Sequence, residues 1–271
     1  MPTSSNCLPG YVLEEEITRT ERAIIYRAVD EADGCLVAAK LVQNDVHGKH
    51  EIEMLQRVQQ ANPAGPAHVM RLLDTHEDGD DLWMVLELFN ATVSKFDPWK
   101  ITPLALMSIA ADSAKGLVEM ARAGVVDDDV KPQNIAIKAR SGRVVHIDLG
   151  CARRSGQKPR GYTPDYVAPE IEQGIPSDTS PCYGWGRTME FLAIGKIGLG
   201  PNYLLSSYVP WMGREFARLV AQCCEPDPDR RPSIEELYRL VKEIVRERRR
   251  CPKCNAIRFA NGACPTCGNS S

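Results

Sequence analysis

The sequence predicts an α+β protein in two unequal lobes, a small antiparallel sheet of about five strands carrying one helix followed by a larger, mainly α-helical half. Three observations lead there. Short apolar runs broken by turn residues fill the chain up to residue 90, helical periodicity takes over after Pro103, and no segment repeats. Two CxxC pairs near the end add a third, much smaller unit.

Residues 11 to 42 alternate apolar runs with polar breaks, YVLEEEITRT, AIIYRAVD and CLVAAKLV, with a turn at Asp33-Gly34 before the last. This is the pattern of three antiparallel strands. HEIEMLQRVQQ then puts Ile52, Met54, Leu55 and Val58 at helical spacing, and NPAGP at 62 to 66 ends that helix. HVMRLLD and DLWMVLELF flank the turn-forming EDGDD at 77 to 81 and read as a second hairpin. LALMSIAADSAKGLVEMARAG is a long amphipathic helix stopped by Gly124, with further helices around 184 to 195, 213 to 224 and 233 to 247. The stretch 195 to 210 reads as a loop. The predicted units are therefore 11–90, 91–247 and 250–268.

With 43% hydrophobic and 25% charged residues in 271, the chain can bury a sizeable core. A formal net charge of −3 gives no large field of either sign, so composition suggests neither a nucleic acid nor a bilayer as partner. The start, MPTSSNCLPGYVLEEE, lacks a basic region followed by an apolar one, and no apolar run approaches ~18 residues. A cytoplasmic location without a membrane partner is expected.

The residues able to do chemistry come in a suggestive order. Lys40 ends the strand VAAK, and Glu51, eleven positions on, opens the predicted helix and suits a charge-assisted contact with it. DDDVKPQNIAI at 127 to 137 supplies Asp129, Lys131 and Asn134, and HIDLG at 146 to 150 supplies Asp148. Phosphoryl transfer from ATP needs a cation on the phosphates, carboxylate and amide ligands for Mg²⁺, and a group that orients the attacking hydroxyl. All three kinds are present. Any one of them alone is as well explained as a solvated turn or strand-end residue, but the whole set in this order is not.

Over residues 11 to 247 these motifs resemble the eukaryotic-type (Hanks-like) serine/threonine protein kinase family. VAAK resembles its VAIK strand, DVKPQN its DLKPEN catalytic loop and DLG its DFG. TPDYVAPE at 163 to 170 is similar to the end of the activation segment, and EPDPDRRPS at 225 to 233 to the segment whose arginine, here Arg231, pairs with the APE glutamate, here Glu170. The resemblance implies a bilobal protein-kinase-like fold, ATP with Mg²⁺ or Mn²⁺ as cofactors, and a protein substrate. By it, Lys40 contacts the α/β-phosphates, Glu51 positions Lys40, Asp129 accepts the proton of the substrate hydroxyl, Lys131 steadies the γ-phosphate, and Asn134 and Asp148 hold Mg²⁺. Glu87, Leu88 and Phe89 correspond to the nucleotide hinge and Leu86 to the gatekeeper. Lys131, two positions after Asp129, together with Thr163 is the serine/threonine pattern.

Three departures accompany the resemblance. Where GxGxxG is expected the chain reads TRTERA at 18 to 23, with Thr18, Thr20 and Ala23 at the glycine positions. β-Branched threonine is stiff and Glu21 repels phosphate, so weak nucleotide binding is expected unless Arg22 compensates. Asp127 and Asp128 stand where the family has the His and Arg of HRD. A phosphate on Ser155, Tyr162 or Thr163 would meet repulsion there, and activity independent of activation-segment phosphorylation is expected. Pro181 replaces an aspartate that accepts backbone N–H bonds from the catalytic loop, so another anchor is expected, with the Asp127 carboxylate as candidate.

CPKC at 251 to 254 and CPTCG at 264 to 268 form two knuckles nine residues apart. Four thiolates in two i, i+3 pairs suit a closed tetrahedral Zn²⁺ site of Cys251, Cys254, Cys264 and Cys267, a structural zinc ribbon whose folding needs the metal. Its expected contact is a protein or, less readily, a nucleic acid at the basic run RERRR. The other six of the ten cysteines are scattered singly, which favours reduced thiols. Cys151, directly after Asp148-Leu149-Gly150, is a candidate reactive thiol near the nucleotide. An active but slow serine/threonine kinase is the leading reading. The missing glycines, the DDD triplet and Pro181 also fit a pseudokinase acting as scaffold or allosteric partner, and a ribbon-centred adaptor binding protein or nucleic acid is a third reading.

Overall fold

Strands β1 (Tyr11–Arg19), β2 (Ala23–Asp30), β3 (Leu36–Gln43), β4 (Leu72–Asp78) and β5 (Asp81–Glu87) form one antiparallel sheet in the order β1-β2-β3-β5-β4 in the computed structural model. The structure describes residues 7–138, 141–198 and 213–246, with 249–250, 253, 257–258 and 267 beyond them. β3 is central, and its residues 37 to 41 are all buried. Alternation sends Val37, Ala39 and Leu41 to one face, where they pack with Trp83 and Val85. Ala38 joins the core on the other face with Met54, Leu55 and Val58 of helix α1 (Val46–Ala61). Lys40 shares the parity of Ala38 and so points toward α1.

Helix α1 begins at Val46, four residues before the predicted stretch, because the Asp45 carboxylate caps it by accepting from the N–H groups of His47 and Gly48. Strand β4 also differs from the prediction: it starts at Leu72, not at His68. Residues 68 to 70 instead bond across to the second lobe, His146 N–H donating to His68 C=O and Met70 N–H to His146 C=O. That short ladder ties the two lobes together.

The second lobe begins with β6 (Ala91–Thr92) and α2 (Pro103–Arg122), capped by Thr102 and released by Gly124 at φ +65°. It continues through β7 (Val125–Val126), β8 (Ile135–Lys138), β9 (Arg143–His146), β10 (Arg153–Arg154) and α3 (Pro169–Glu172), then α4 (Ser180–Ile194), α5 (Arg214–Cys223) and α6 (Ile234–Arg246). Two small sheets, β6-β8-β9 and β10-β7, carry the loops that hold the candidate site. α4 is the buried centre, with Trp185 and Met189 fully enclosed. Most of the loop expected at 195 to 210 lies outside the described residues.

Beyond α6, β11 (Arg249–Arg250) pairs antiparallel with β12 (Ile257–Arg258). Of the four expected zinc ligands, Cys251, Cys254 and Cys264 lie outside the described residues, and Cys267 is half-buried. Among the described residues no helix is long and apolar enough to cross a membrane.

One glycine of α4 sets how closely the catalytic loop can approach. A Cβ on Gly184 would lie 2.7 Å from the Val130 carbonyl oxygen and 3.0 Å from its Cβ. Gly184→Ala therefore displaces the loop that follows Asp129, and despite alanine's better helix propensity we expect it to destabilise the fold by ~1–3 kcal/mol. Chemical denaturation of the two proteins side by side checks this.

Candidate active site

Lys40 and Glu51, brought face to face by strand parity and the helix, form a buried pair in which Nζ donates to both carboxylate oxygens at 2.7 Å. Burial disfavours charge on Lys40, but Asp148 and Glu51 outweigh it and raise the pKa above the usual lysine value, so Lys40 remains a cation. Asp148 follows β9 and lines the same cavity. Its own burial opposes ionisation, yet Lys40, the Gly150 N–H at 2.9 Å and Lys131 together hold its carboxyl below the usual range.

The catalytic-loop residues form a second cluster. Lys131 Nζ donates to Asp129 Oδ2 and to Thr163 Oγ1, both at 2.6 Å. Asn134 Nδ2 donates to the Asp129 carbonyl at 3.0 Å and to Oδ2 at 3.1 Å. Oδ2 is thereby fixed from two sides, while Asp129 Oδ1 is buried with no hydrogen-bond partner among the described residues. Glu170 and Arg231 make the expected bidentate pair at 2.5 and 2.8 Å, which closes the end of the segment against the helices.

The anchor of the catalytic loop differs from the expectation that Asp127 provides it. Asp128 does so, through Arg153, which the sequence reading missed. Arg153 Nε donates to Asp128 Oδ2 at 2.6 Å, both side chains have no solvent exposure, and Arg153 Nη2 reaches the Ser177 carbonyl at 2.7 Å. Ser180 Oγ donates to Asp128 Oδ1 at 2.5 Å from the residue beside Pro181. A buried carboxylate at 128 demands a buried cation, and that demand was the available signal for Arg153. Asp127 instead closes its own loop, Oδ1 accepting the Asp129 N–H at 2.9 Å and Oδ2 remaining buried without a partner among the described residues. Burial, reinforced by the negative charge of Asp129, pushes the Asp127 carboxyl well above its ordinary range.

At the phosphate end, the β1–β2 turn is tight and self-satisfied. Thr20 Oγ1 accepts from Arg22 N–H at 3.3 Å and Ala23 N–H at 3.0 Å, and Thr20 N–H donates to the Ala23 carbonyl. Two N–H groups that could have faced phosphate are therefore used inside the turn. A cavity of about 410 Å³ lies below it, lined by Glu21, Arg22, Lys40, Glu51, Asp148 and Cys151 among others. Cys151 does not fit the expected reactive thiol: burial, then the carboxylates of Asp129, Asp127 and Asp148, push it up to about 12, so it stays protonated at neutral pH. The hinge residues stand apart from this cavity. The Glu87 carboxylate is clamped by Arg71 at 2.9 Å and Arg143 at 3.0 Å, neither foreseen, and Phe89 packs against the core.

The Asp127 geometry has a pH signature. Its folded-state pKa is raised, so the native state holds a proton that the unfolded chain gives up near pH 4; stability is fully present below that pH and is lost as pH rises toward the folded pKa. Asp127→Asn keeps the Oδ1 acceptor and removes the ionisation. We expect the variant's melting temperature to gain on the wild type progressively as pH rises from about 4, which a thermal-denaturation series across pH measures.

A protein kinase domain model matches residues 11–240 and stops short of the cysteine pairs. The chain is 29% identical over 240 residues to serine/threonine-protein kinase PkaB of Streptomyces coelicolor, covering 77% of this chain and 57% of PkaB. It is 26% identical over 270 residues to PkaA of the same organism, covering 87% and 50%. A match of 55 residues, 20% of this chain and 8% of the relative, is 47% identical to protein kinase YpkA of Yersinia pseudotuberculosis. The chain spans about half the length of the two Streptomyces relatives. With the family match running from β1 into α6, across the Lys40–Glu51 pair and the catalytic loop, this chain belongs to the protein kinase domain family.

Proposed function

We propose that the chain transfers the γ-phosphate of ATP to serine or threonine hydroxyls of a protein substrate, slowly, and without a phosphate on its own activation segment. The observation that carries this reading is the state of Asp129. Its Oδ2 is fixed by Lys131 and Asn134, and its buried Oδ1 is left to accept the proton of an incoming hydroxyl. Lys131 also touches Thr163, so the base, the phosphate-side cation and the segment that receives substrate are joined.

The donor set fits the implied nucleotide and metal. Asp148 offers a carboxylate held ionised, and Asn134, with Nδ2 turned to Asp129, offers its Oδ1; both are the hard oxygen donors that suit Mg²⁺ or Mn²⁺. Among the described residues no three His, Cys, Asp or Glu side chains form a metal cage. When bound, the ion neutralises charge on the transferring phosphates. Lys40 would take the α/β-phosphates with Glu51 holding it in place, and the backbone of the Glu87–Phe89 hinge would meet the adenine, steadied by the Arg71–Glu87–Arg143 clamp.

Slowness follows from the Thr20 turn, which withholds backbone N–H groups from phosphate and leaves Glu21 beside the cavity. The same observation favours the second reading, a pseudokinase scaffold. Independence from phosphorylation rests on the Asp128–Arg153 pair, in which a fixed carboxylate occupies the buried cation of the segment permanently. For the tail, the two CxxC knuckles support a structural Zn²⁺ on Cys251, Cys254, Cys264 and Cys267, with β11 just before the first knuckle pairing with β12 between the two, and a protein as its partner. Free thiols at Cys7, Cys35, Cys151, Cys182, Cys223 and Cys224 suit a reducing compartment such as the cytoplasm.

Radiolabelled ATP with Mg²⁺ or Mn²⁺ and a generic Ser/Thr substrate tests the enzyme reading. Transfer should persist after phosphatase treatment, and Asp129→Asn should lower turnover by roughly 10²-fold or more with little change in nucleotide affinity. No label with either metal leaves the pseudokinase reading. For the tail, elemental analysis of protein purified under reducing conditions should find one zinc per chain, and chelation should loosen residues from about 250 onward while the two lobes persist.

A further inference from the structure

A second cavity, of about 460 Å³, opens between α1 and the activation segment and shares no lining residue with the Lys40 cavity. Lys49, His50 and Glu53 line it from α1, and Arg154, Gln157 and Arg160 from the segment. Three permanent cations thus face one carboxylate, in a chain whose formal net charge is −3. The stretch from Cys151 to Thr163 carries four cations and no acid.

These cations are not consumed internally to the same degree. Arg153 is spent on Asp128, and Arg154 holds Glu53. Lys49 meets Glu77 only loosely, at 3.3 Å with both side chains 56% exposed. Arg160 is exposed and makes no hydrogen bond or ion pair among the described residues. His50 Nε2 is fixed on the Ala152 carbonyl at 2.6 Å, which leaves Nδ1 for another partner. The cavity is therefore lined by more cationic donors than the negative charge among the described residues satisfies.

The missing anion does not come from the lining itself. No serine, threonine or tyrosine lines the cavity, the other two lining residues being Val46 and Met54. Of the segment hydroxyls, Ser155 Oγ bonds Asp178 and Thr163 Oγ1 accepts from Lys131, while Tyr162 is exposed and does not line the cavity. Arg160 lies three residues before Thr163, whose Oγ1 accepts from Lys131 beside Asp129, so the segment that lines this cavity leads directly to the Asp129 cluster.

We propose that this cavity binds a phosphorylated side chain of the protein substrate, so that the chain prefers substrates already carrying a phosphate near the acceptor hydroxyl. The proposal rests on the kinase reading above and deepens it to a substrate class. A phosphomonoester brings nearly two negative charges and three acceptor oxygens, which matches several separated cationic donors better than one carboxylate does.

The test uses the full chain and matched peptides with one acceptor serine, in which a second position scanned along the peptide is serine, aspartate or phosphoserine. Phosphoserine at a favoured offset should lower KM about tenfold with kcat unchanged, since the contact is made equally in ground and transition states. Lys49→Ala combined with Arg160→Ala should abolish that preference while leaving turnover of the unphosphorylated peptide within about twofold, as both positions lie outside the catalytic cluster. Equal KM for all three peptides, or a preference that survives the double substitution, overturns the proposal. Fluorescence anisotropy without nucleotide keeps it separable from the enzyme reading. Selective binding of the phosphopeptide by a chain that transfers nothing would uphold the site and sink the kinase reading. Binding matched by inorganic phosphate alone, by polyglutamate or by oligothymidylate would mark a general anion surface and sink the site.

Discussion

Neither the Asp128 nor the Arg153 side chain has any solvent exposure, and neither could be left there alone. A buried ion pair adds little net stability over a well-packed apolar pair, but removing one partner strands a charge at a cost of about 3–5 kcal/mol. The pair therefore acts mainly as a specification. It fixes the catalytic loop against the activation segment, and through the Ser177 carbonyl and the Ser180 hydroxyl it fixes both to the start of α4. Pro181 is tolerated there because the first turn of a helix does not need its N–H, and the acceptor lost with an aspartate at that position is replaced from the loop side.

Two further buried pairs repeat this logic. Lys40–Glu51 joins the sheet to α1, and Glu170–Arg231 joins the end of the segment to the loop before α6. Each pair joins two different elements, and each is enclosed, so a rearrangement that separates the partners exposes or strands two charges at once. The site is consequently held by joints with essentially one arrangement each, which is what reacting groups that must meet within hydrogen-bond distance require.

The phosphate end follows a different balance. The turn between β1 and β2 satisfies its own N–H groups through Thr20, and Glu21 lines the cavity together with Lys40 and Asp148. Grip on a substrate and stabilisation of a transition state are separable quantities, so loss of the first does not entail loss of the second.

The existence and order of the elements were legible in the sequence because they depend on local periodicity: strand alternation around Lys40, the helical spacing of Met54, Leu55 and Val58, and the Gly124 stop all survive intact. The candidate site residues were legible through their order along the chain, and the structure brings Lys40 to Glu51 and Asp129 to Lys131 and Asn134. Element starts were less legible, because the Asp45 cap advances α1 and pairing with His146 withholds residues 68 to 70 from β4. The three consecutive aspartates show the limit most clearly. By sequence they are alike, yet burial and neighbours raise the pKa of Asp127, pair Asp128 with a guanidinium and leave Asp129 Oδ1 without a partner among the described residues. The same holds for Cys151, whose surroundings silence its thiol, and for Arg153 against Arg160, one enclosed and the other exposed at a cavity. Local pattern determined which elements form and which chemistries are present. Only the tertiary structure decided which charge is buried against which, because desolvation and pairing depend on distances between segments that the order of residues does not contain.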